Sequence, residues 1–256
     1  MSDTKLNGRL CSAASFVRQG AVIADIGTDH AYLPIFLINS GIAKAAYAAD
    51  INEGPLKKAE ENILAAGLSG SIECRLLDGA YGLCGLGITD YAICGMGGEL
   101  IAEIIGRAPH LKDECVRLIL QPMSRQEHLR AYLCQHGFDI LAEAYSSDSG
   151  KDYVCFLAEY SGKSASADGL DGYYLPARDA KLFGRDAMLR YYTSKYNSLK
   201  RAADGKRRSQ NLLGQSGECE DCSREEQIAE RVLKLINGIP KMDIPDIRKT
   251  SFQLGE

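Results

Sequence analysis

The stretch that decides the fold is VIADIGTDHAYLPIFL, residues 22–37. An apolar run ends at a glycine, and a second apolar run with helical spacing follows after a short polar turn. This order is typical of a β-strand, a tight loop and an α-helix, the opening unit of a parallel sheet. The stretch also holds two carboxylates, Asp25 and Asp29, one histidine, His30, and a single glycine, Gly27.

The same alternation of short apolar runs and helical patterns continues to about residue 160, and it predicts a parallel α/β sheet. Seven strands are expected, at Ala21–Gly27, Ala45–Ile51, Ile72–Leu77, Tyr91–Gly95, Arg117–Gln121, Phe138–Ala144 and Tyr153–Glu159. Helices are expected at Ala31–Ser40, Pro55–Ala66, Glu99–Arg107 and Gln126–His136. The last two strands should form an antiparallel hairpin, because only the short polar loop 146–152 joins them.

The chain changes character near residue 162. The Ser/Gly/Asp-rich stretch 161–172 is typical of a linker, and the pattern after it is helical only. Two helices, at about 177–213 and 223–237, should pair as an antiparallel coiled-coil hairpin because both carry apolar residues at helical spacing. We therefore divide the chain into a sheet domain, residues 1–162, and a helical domain, residues 173–256.

Composition excludes several classes of protein. The chain has 256 residues, 45% hydrophobic and 25% charged, with a formal net charge of −4, which is typical of a soluble globular protein. Because it has neither a membrane-length apolar run nor a signal peptide, we expect a cytoplasmic protein without a membrane partner. The nine cysteines lie mostly in apolar segments and should be reduced. Cys219 and Cys222 have metal-knuckle spacing but no second pair, so no metal is expected.

Acidic or glycine-rich positions follow four consecutive predicted strands: Asp25–His30, Asp50, Asp78–Gly79 and Ile93–Gly98. The carboxyl ends of parallel strands meet at one edge, where α/β sheets bind ligands. A phosphate there would be repelled by Asp29 by about 4 kcal/mol at about 4 Å and an effective dielectric near 20. S-adenosylmethionine, with its ammonium and sulfonium, fits better. The alternatives are that the acids only cap helices and the glycines only form turns.

These segments resemble the bacterial tRNA (adenine(22)-N1)-methyltransferase family. The resemblance rests on ADIGTDHAYLP (24–34), AADINEGPLKKAEENI (48–63), LLDG (76–79), ICGMGGELI (93–101), LILQPMSRQEHLRAYL (118–133) and SDSGKDY (147–153), in this order. One departure is Thr28, where serine is expected. The resemblance implies a Rossmann-like S-adenosylmethionine-dependent methyltransferase domain followed by a small coiled-coil domain, with tRNA as the substrate.

The resemblance and the strand ends together give a set of expected site residues. Cofactor contacts are expected from Asp25, Gly27, Thr28, Asp50, Ile51, Asn52, Asp78, Gly79, Cys94, Gly95, Met96 and Gly97. Asp29 and His30 are the expected catalytic residues. Asp29 has two possible ligands, the amino group of the target adenine or that of the cofactor's methionine. His30 has the alternative of a helix-capping side chain, and Tyr32 that of a core residue rather than a stacking surface for a base.

The segment 178–208 holds ten Lys or Arg residues against three acids. A local excess of seven positive charges on an acidic protein is typical of a phosphate-binding surface. RNA contacts are therefore expected from Arg190, Lys195, Lys200, Arg201, Lys206 and Arg207, with a solvated helix face as the alternative. Three other functions stay open: a nucleotide-dependent oxidoreductase, a non-catalytic adenosyl-binding RNA-binding protein, and a methyltransferase for another RNA nucleotide.

Overall fold

The computed structural model describes residues 6–164, 173–212 and 220–246, and within them it forms one eight-stranded sheet. The strands are β1 Ala21–Ile26, β2 Ala43–Asp50, β3 Ile72–Leu76, β4 Asp90–Gly97, β5 Arg117–Ser124, β6 Phe138–Asp148, β7 Lys151–Tyr160 and β8 Lys181–Phe183. Their order is β3-β2-β1-β4-β5-β7-β6-β8. The first five are parallel, and β7 is antiparallel to both β5 and β6.

Helices cover both faces of this sheet. They are α1 Gly8–Ser15, α2 Tyr32–Asn39, α3 Glu53–Ala65, α4 Gly98–Gly106, α5 Gln126–Gln135, α6 Arg185–Leu212 and α7 Glu220–Gly238. Apolar residues of α1, α2 and α3 pack in one buried cluster. Those of α4, α5, α6 and α7 pack in a second one. The two C-terminal helices are therefore joined to the sheet through a shared hydrophobic core.

The strand order reverses beside β1, because β2 pairs with one of its sides and β4 with the other. Parallel sheets bind ligands above such a reversal, at the carboxyl ends of the strands. We call the row formed by the carboxyl ends of β1 to β5 the carboxyl edge. The sequence predictions of a parallel sheet and of a terminal antiparallel hairpin are both confirmed.

The structure departs from the predicted elements mainly between residues 146 and 185. The β6–β7 loop is only a tight turn at Ser149 and Gly150, both with positive φ (49° and 77°), so the strands are longer than expected. All seven predicted strands are present, and β8 adds an eighth by pairing in parallel with β6. The helix expected from Ala177 begins instead at Arg185. Gly184 stands between β8 and this helix. Only glycine fits there, because an added Cβ would lie 2.0 Å from the carbonyl oxygen of Tyr145.

A buried polar network ties α6 to the sheet. Arg130 and Glu143, 4% and 0% exposed in their side chains, form an ion pair. Glu143 also accepts hydrogen bonds from the Tyr145 hydroxyl (2.6 Å) and the Ala177 N–H (2.8 Å). The Tyr145 hydroxyl in turn lies 3.1 Å from that of Tyr192 on α6. We call these five residues the hairpin base, and they continue the core of the sheet.

The division into domains 1–162 and 173–256 stays a prediction, and a cut at 162 would remove β8 from the sheet. Of the expected linker, residues 165–172 lie outside the described part of the chain, as do Cys219 and the side chain of Cys222. In the described ranges, no helix combines the length and the apolar character needed to cross a membrane.

Candidate active site

The first turn of the carboxyl edge follows β1 and depends on a glycine. Gly27 has φ +76°, a conformation that side chains with a Cβ rarely adopt. The Gly27 and Thr28 N–H groups donate to the carbonyl oxygen of Ala49 at 2.8 and 3.0 Å, which fixes the turn to the end of β2. An added Cβ at Gly27 would lie 2.0 Å from Cε of Met96, so this methionine covers the turn directly.

Asp25 lies at the end of β1 with only 7% of its surface exposed. Burial raises the pKa of its carboxyl to about 6, although the Thr28 hydroxyl and Arg9 oppose the rise. Asp50, at the end of the neighbouring strand, raises it further. A buried carboxylate of this kind gains stability from a nearby cation, such as an ammonium group of a ligand.

Asp29, His30 and Tyr32 form a group at the mouth of the same turn. The Asp29 side chain is 76% exposed, and its Oδ2 lies 3.2 Å from Nε2 of His30. The His30 ring stacks on that of Tyr32 with 5.1 Å between centroids, and Tyr32 is half exposed. Ala31, in the left-handed region at φ 55°, begins α2 without a side-chain cap. The helix-cap interpretation of His30 and the core interpretation of Tyr32 are therefore both wrong.

Asp50 ends β2 in a conformation suited to hydroxyl groups. Its Oδ1 accepts from the backbone N–H of Asn52 at 2.7 Å and from Nδ2 of the same residue at 3.2 Å. These bonds orient the carboxylate, and in the described chain they involve only one of its oxygens. Ile51 beside it is 60% exposed. The pair presents a hydrogen-bond acceptor next to an apolar surface, as the ribose and base of an adenosyl group require.

Asp78, just after β3, is held by Arg107, which follows the last residue of α4. Both carboxylate oxygens accept from the guanidinium, at 2.8 and 3.0 Å, and Arg107 lowers the pKa of Asp78. Gly79 follows with φ +75°. Asp78 is thus an oriented, ionised hydrogen-bond acceptor. Its partner Arg107 was not predicted from the sequence.

The glycine-rich end of β4, with the first residue of α4, lets two backbones approach closely. Gly95 has φ +80° and donates its N–H to Oε1 of the buried Gln121 at 3.2 Å. An added Cβ at Gly97 would meet Ser124 at 3.4 Å, and one at Gly98 would lie 2.3 Å from the Arg125 carbonyl oxygen. Burial raises the pKa of the neighbouring Cys94 thiol, which is therefore neutral.

Two residues of this region were missed from the sequence. Nη1 of Arg9 donates to Oε1 of Gln121 at 3.3 Å, and Gln121 is fully buried within β5. Gln121 lies within the segment LILQPMSRQEHLRAYL, which carries part of the family resemblance. That resemblance could have pointed to Gln121 as a site residue. Arg9 lies on α1, which was not predicted and whose contact with β5 joins residues 112 positions apart.

The residues predicted to bind RNA differ in their surroundings. Arg190 bonds Asp152 (3.2 Å) and Ser147 (2.6 Å) on the β6–β7 hairpin. Lys195 bonds Gln126 at 2.9 Å and Glu127 at 3.4 Å. Burial lowers the pKa of Lys195.

Further along α6 two predicted residues pair with α7: Lys206 lies 3.0 Å from Glu225, and Arg207 pairs with Glu226. Lys200 and Arg201 are exposed and have no ion-pair partner among the described residues. Arg201 lines an open groove on α6 together with Leu189, Arg190, Thr193, Ser194 and Asn197.

The hairpin emerges beside the carboxyl edge. β8 runs parallel to β6, so α6 begins on the side of the sheet where the parallel strands end. Arg190 contacts the β6–β7 hairpin, and Lys195 contacts the start of α5, which follows β5. The structure thus brings the predicted cofactor residues onto one edge and sets the basic helix next to it. In residues 6–164, 173–212 and 220–246, no cluster of His, Cys, Asp or Glu is suited to a metal ion.

Comparison with known proteins gives consistent matches. Residues 6–156 match a family described as a methyltransferase domain. The tRNA (adenine(22)-N(1))-methyltransferase of Bacillus subtilis is 33% identical over 221 residues, which cover 83% of this chain and 93% of that protein.

Solved structures agree with these matches. The B. subtilis m1A22 tRNA methyltransferase TrmK has a TM-score of 0.70 and 28% identity, over 92% of this chain and 99% of its own. A candidate tRNA (m1A22) methyltransferase of Streptococcus pneumoniae, solved with S-adenosyl-L-methionine, has a TM-score of 0.69 and 32% identity, over 88% of this chain and 98% of its own.

Proposed function

The chain belongs to the tRNA (adenine(22)-N1)-methyltransferase family, and on that premise we propose that it methylates N1 of adenine 22 in tRNA with S-adenosylmethionine. The observation that carries the proposal is the carboxyl edge. There the ends of four neighbouring strands present oriented carboxylates and glycine turns beside a strand-order reversal. The cofactor assignment is supported by the S. pneumoniae relative, which was solved with S-adenosyl-L-methionine.

The residues of the edge fit this cofactor. Asp25 offers a carboxylate for the ammonium group, and the free oxygen of Asp50 offers an acceptor for ribose hydroxyls. Asp78 and Ile51 provide an acceptor and an apolar surface for the adenine. Gly95 has no side chain, which leaves its backbone open to a ligand, and its positive φ favours glycine at this position. When bound, S-adenosylmethionine supplies an electrophilic methyl group carried by a sulfonium.

The target chemistry requires positioning more than proton removal. N1 of adenine has a lone pair at neutral pH, so the enzyme must hold it in line with the methyl group and stabilise the positive charge that develops on the purine. Asp29 is exposed at the crevice mouth, where its carboxylate can accept from the exocyclic amino group. His30 lies within reach of Asp29, and Tyr32 offers an exposed ring for stacking on the base.

We assign tRNA recognition to the helical hairpin of α6 and α7. N1 is hidden in a Watson–Crick pair, so a structured RNA must present its target base splayed out while the enzyme holds the surrounding backbone. Lys200 and Arg201 are exposed on α6, and the open groove beside them carries hydroxyl and amide side chains suited to phosphates. With tRNA as the substrate, we also propose a cytoplasmic location.

The test uses the full-length protein, labelled S-adenosylmethionine and two tRNA transcripts that differ only at position 22. The transcript with adenine should acquire label that nucleoside analysis identifies as 1-methyladenosine, and the one with guanine should acquire none. Equal labelling of both would mean that another nucleotide is the target. Binding of S-adenosylhomocysteine without any transfer would favour a non-catalytic RNA-binding protein.

A further inference from the structure

Lys195 lies on α6, but its side chain is directed at another helix of the sheet domain. Its Nζ donates to Oε1 of Gln126 at 2.9 Å and to Oε2 of Glu127 at 3.4 Å, both in the first turn of α5. The ring centroids of Tyr174 and Tyr191 lie 5.9 and 5.8 Å from the same ammonium group. Only 27% of the side chain is exposed. The ammonium group is therefore enclosed and satisfied within the protein.

Gln126 connects Lys195 to the end of β5. While its Oε1 accepts from Lys195, its Nε2 donates to the carbonyl oxygen of Pro122 at 3.4 Å. Gln126 is buried, so its amide is shielded from water. We call residues 122–125, which comprise the end of β5 and the residue before α5, the edge segment. Lys195 thus contacts the edge segment through one side chain.

The other side of the edge segment packs on the glycine-rich end of β4. Pro122 pairs in register with Met96, and Ser124 pairs with Gly97. Met96 in turn covers the turn at Gly27 that leads to Asp29. A shift of the edge segment would therefore move the backbone beside the proposed site of methyl transfer.

The edge segment is held in a strained conformation. Arg125 has φ 54°, in the left-handed region, and α5 begins after it without a side-chain cap in the described chain. A non-glycine residue in this region costs about 1–3 kcal/mol and persists only where its surroundings fix it. Gln126 follows Arg125 directly, so the bond from Lys195 to Gln126 is one of the contacts that fix it.

We propose that Lys195 is a positioning residue for methyl transfer, which fixes the edge segment relative to α6. Lys200 and Arg201, the proposed RNA contacts, follow on the same helix, roughly 8 to 9 Å further along its axis. RNA held there presents N1 in line with the methyl group only if α6 keeps its place beside the edge. A displacement of about 1 Å can lower a rate about 100-fold. This inference rests on the proposed function.

Single-turnover kinetics of the full chain, with saturating adenine-22 transcript and S-adenosylmethionine, tests the inference. Lys195→Met keeps the length of the side chain and removes the ammonium group, so it should slow methyl transfer by about 10- to 100-fold. Affinities for S-adenosylhomocysteine and tRNA should stay within about twofold. Lys195→Arg, which keeps a cationic donor, should recover most of the rate. Lys44→Met, which removes an exposed lysine at the amino end of β2, is the matched control and should react normally.

Gln126→Met tests the same contact from the other side, also if Lys195→Met does not fold. It removes the acceptor of Lys195 and should slow transfer to a similar extent. The double variant should react within about twofold of the slower single variant, because both changes break one link. Effects that multiply in the double variant would show that the two residues act separately, and would overturn the inference.

Other outcomes would overturn the inference in distinct ways. Weaker tRNA binding with a shallower salt dependence in Lys195→Met would make Lys195 an RNA contact. Lower stability in urea with an unchanged rate of transfer would make it a purely structural residue. If the unmodified protein transferred no methyl group to the adenine-22 transcript, the proposed function itself would fail, which separates that result from a failure at Lys195 alone.

Discussion

The carboxyl edge and the hairpin base lie side by side but are built in opposite ways. On the edge, Asp29 is 76% exposed and turns such as that at Gly27 adopt positive φ. In the base, Glu143 is fully buried and its oxygens accept from Arg130, Tyr145 and a backbone N–H. The edge keeps polar groups available for ligands, while the base satisfies its polar groups internally and fixes the orientation of α6.

The largest expected effect is the loss of stability when the buried network of the hairpin base is disrupted. Glu143→Ala leaves the Arg130 guanidinium buried without its partner and should lower the free energy of unfolding by about 3–5 kcal/mol. Urea unfolding measures this loss. Asp29→Ala is the matched control, because removing an exposed carboxylate should change the same quantity by less than about 0.5 kcal/mol. Similar losses in the two variants would remove the contrast between the two regions.

Asp50 should give the next largest effect, on the ligand rather than on the fold. Asp50→Ala should weaken S-adenosylhomocysteine binding by about 1–3 kcal/mol, because ribose hydroxyls lose their acceptor. Calorimetry measures the change. Glu53→Ala, which removes a carboxylate from the exposed start of α3, serves as the control and should bind normally. An Asp50→Ala protein with unchanged affinity would exclude Asp50 from the site.

The raised pKa of Asp25 makes both the stability of the protein and its cofactor affinity depend on pH. Burial raises its native pKa to about 6, so the unliganded protein loses stability as the pH rises through 6 and this carboxyl ionises. A ligand ammonium requires the ionised form, so affinity for S-adenosylhomocysteine should fall by about tenfold between the plateau above pH 7 and pH 5. Asp25→Asn should bind more weakly and lose this slope. A slope that persists in Asp25→Asn would assign the titration to another group.

The smallest effect should be on tRNA binding, where the exposed residues Lys200 and Arg201 of α6 should behave differently from Lys195. Lys200→Ala with Arg201→Ala should raise the KM for tRNA several-fold and make the salt dependence of log K shallower by about 0.7–0.9 per lost phosphate contact. Lys195 is held by Gln126 and Glu127. Lys195→Ala should therefore lower stability and leave the salt slope unchanged. If Lys195→Ala alone reduces the slope, the predicted RNA contact of Lys195 stands despite those bonds.

The sequence predicted the parallel sheet well because each of its strands carries its own signal. An apolar run followed by a glycine or an acid marks every strand from β1 to β4, and helical spacing separates them. β8 was missed for the opposite reason. It has only three residues, Lys181–Phe183, and it exists because β6, about 40 positions earlier, offers an unpaired side.

The same limit applies to the candidate site. Asp25, Asp50 and Asp78 were predictable because each lies close to the carboxyl end of a strand of the sheet. Arg9 was not, because its place depends on a helix that packs across the sheet. The sequence also did not show that acids from distant elements, Asp152 and Glu127, pair with Arg190 and Lys195 of α6. The local sequence pattern therefore locates the carboxyl edge. It does not identify side chains from distant elements that pack against the edge or against α6.

The most direct test of the account is steady-state kinetics of Asp29→Asn on the adenine-22 transcript. The substitution keeps the size of the side chain and removes its charge. If the exposed edge serves the transition state, kcat should fall by about 10²–10³, while affinities for S-adenosylhomocysteine and tRNA stay within about twofold. Turnover close to that of the unmodified protein would contradict the catalytic role, and a large loss of cofactor affinity would move Asp29 to the methionine end of the ligand.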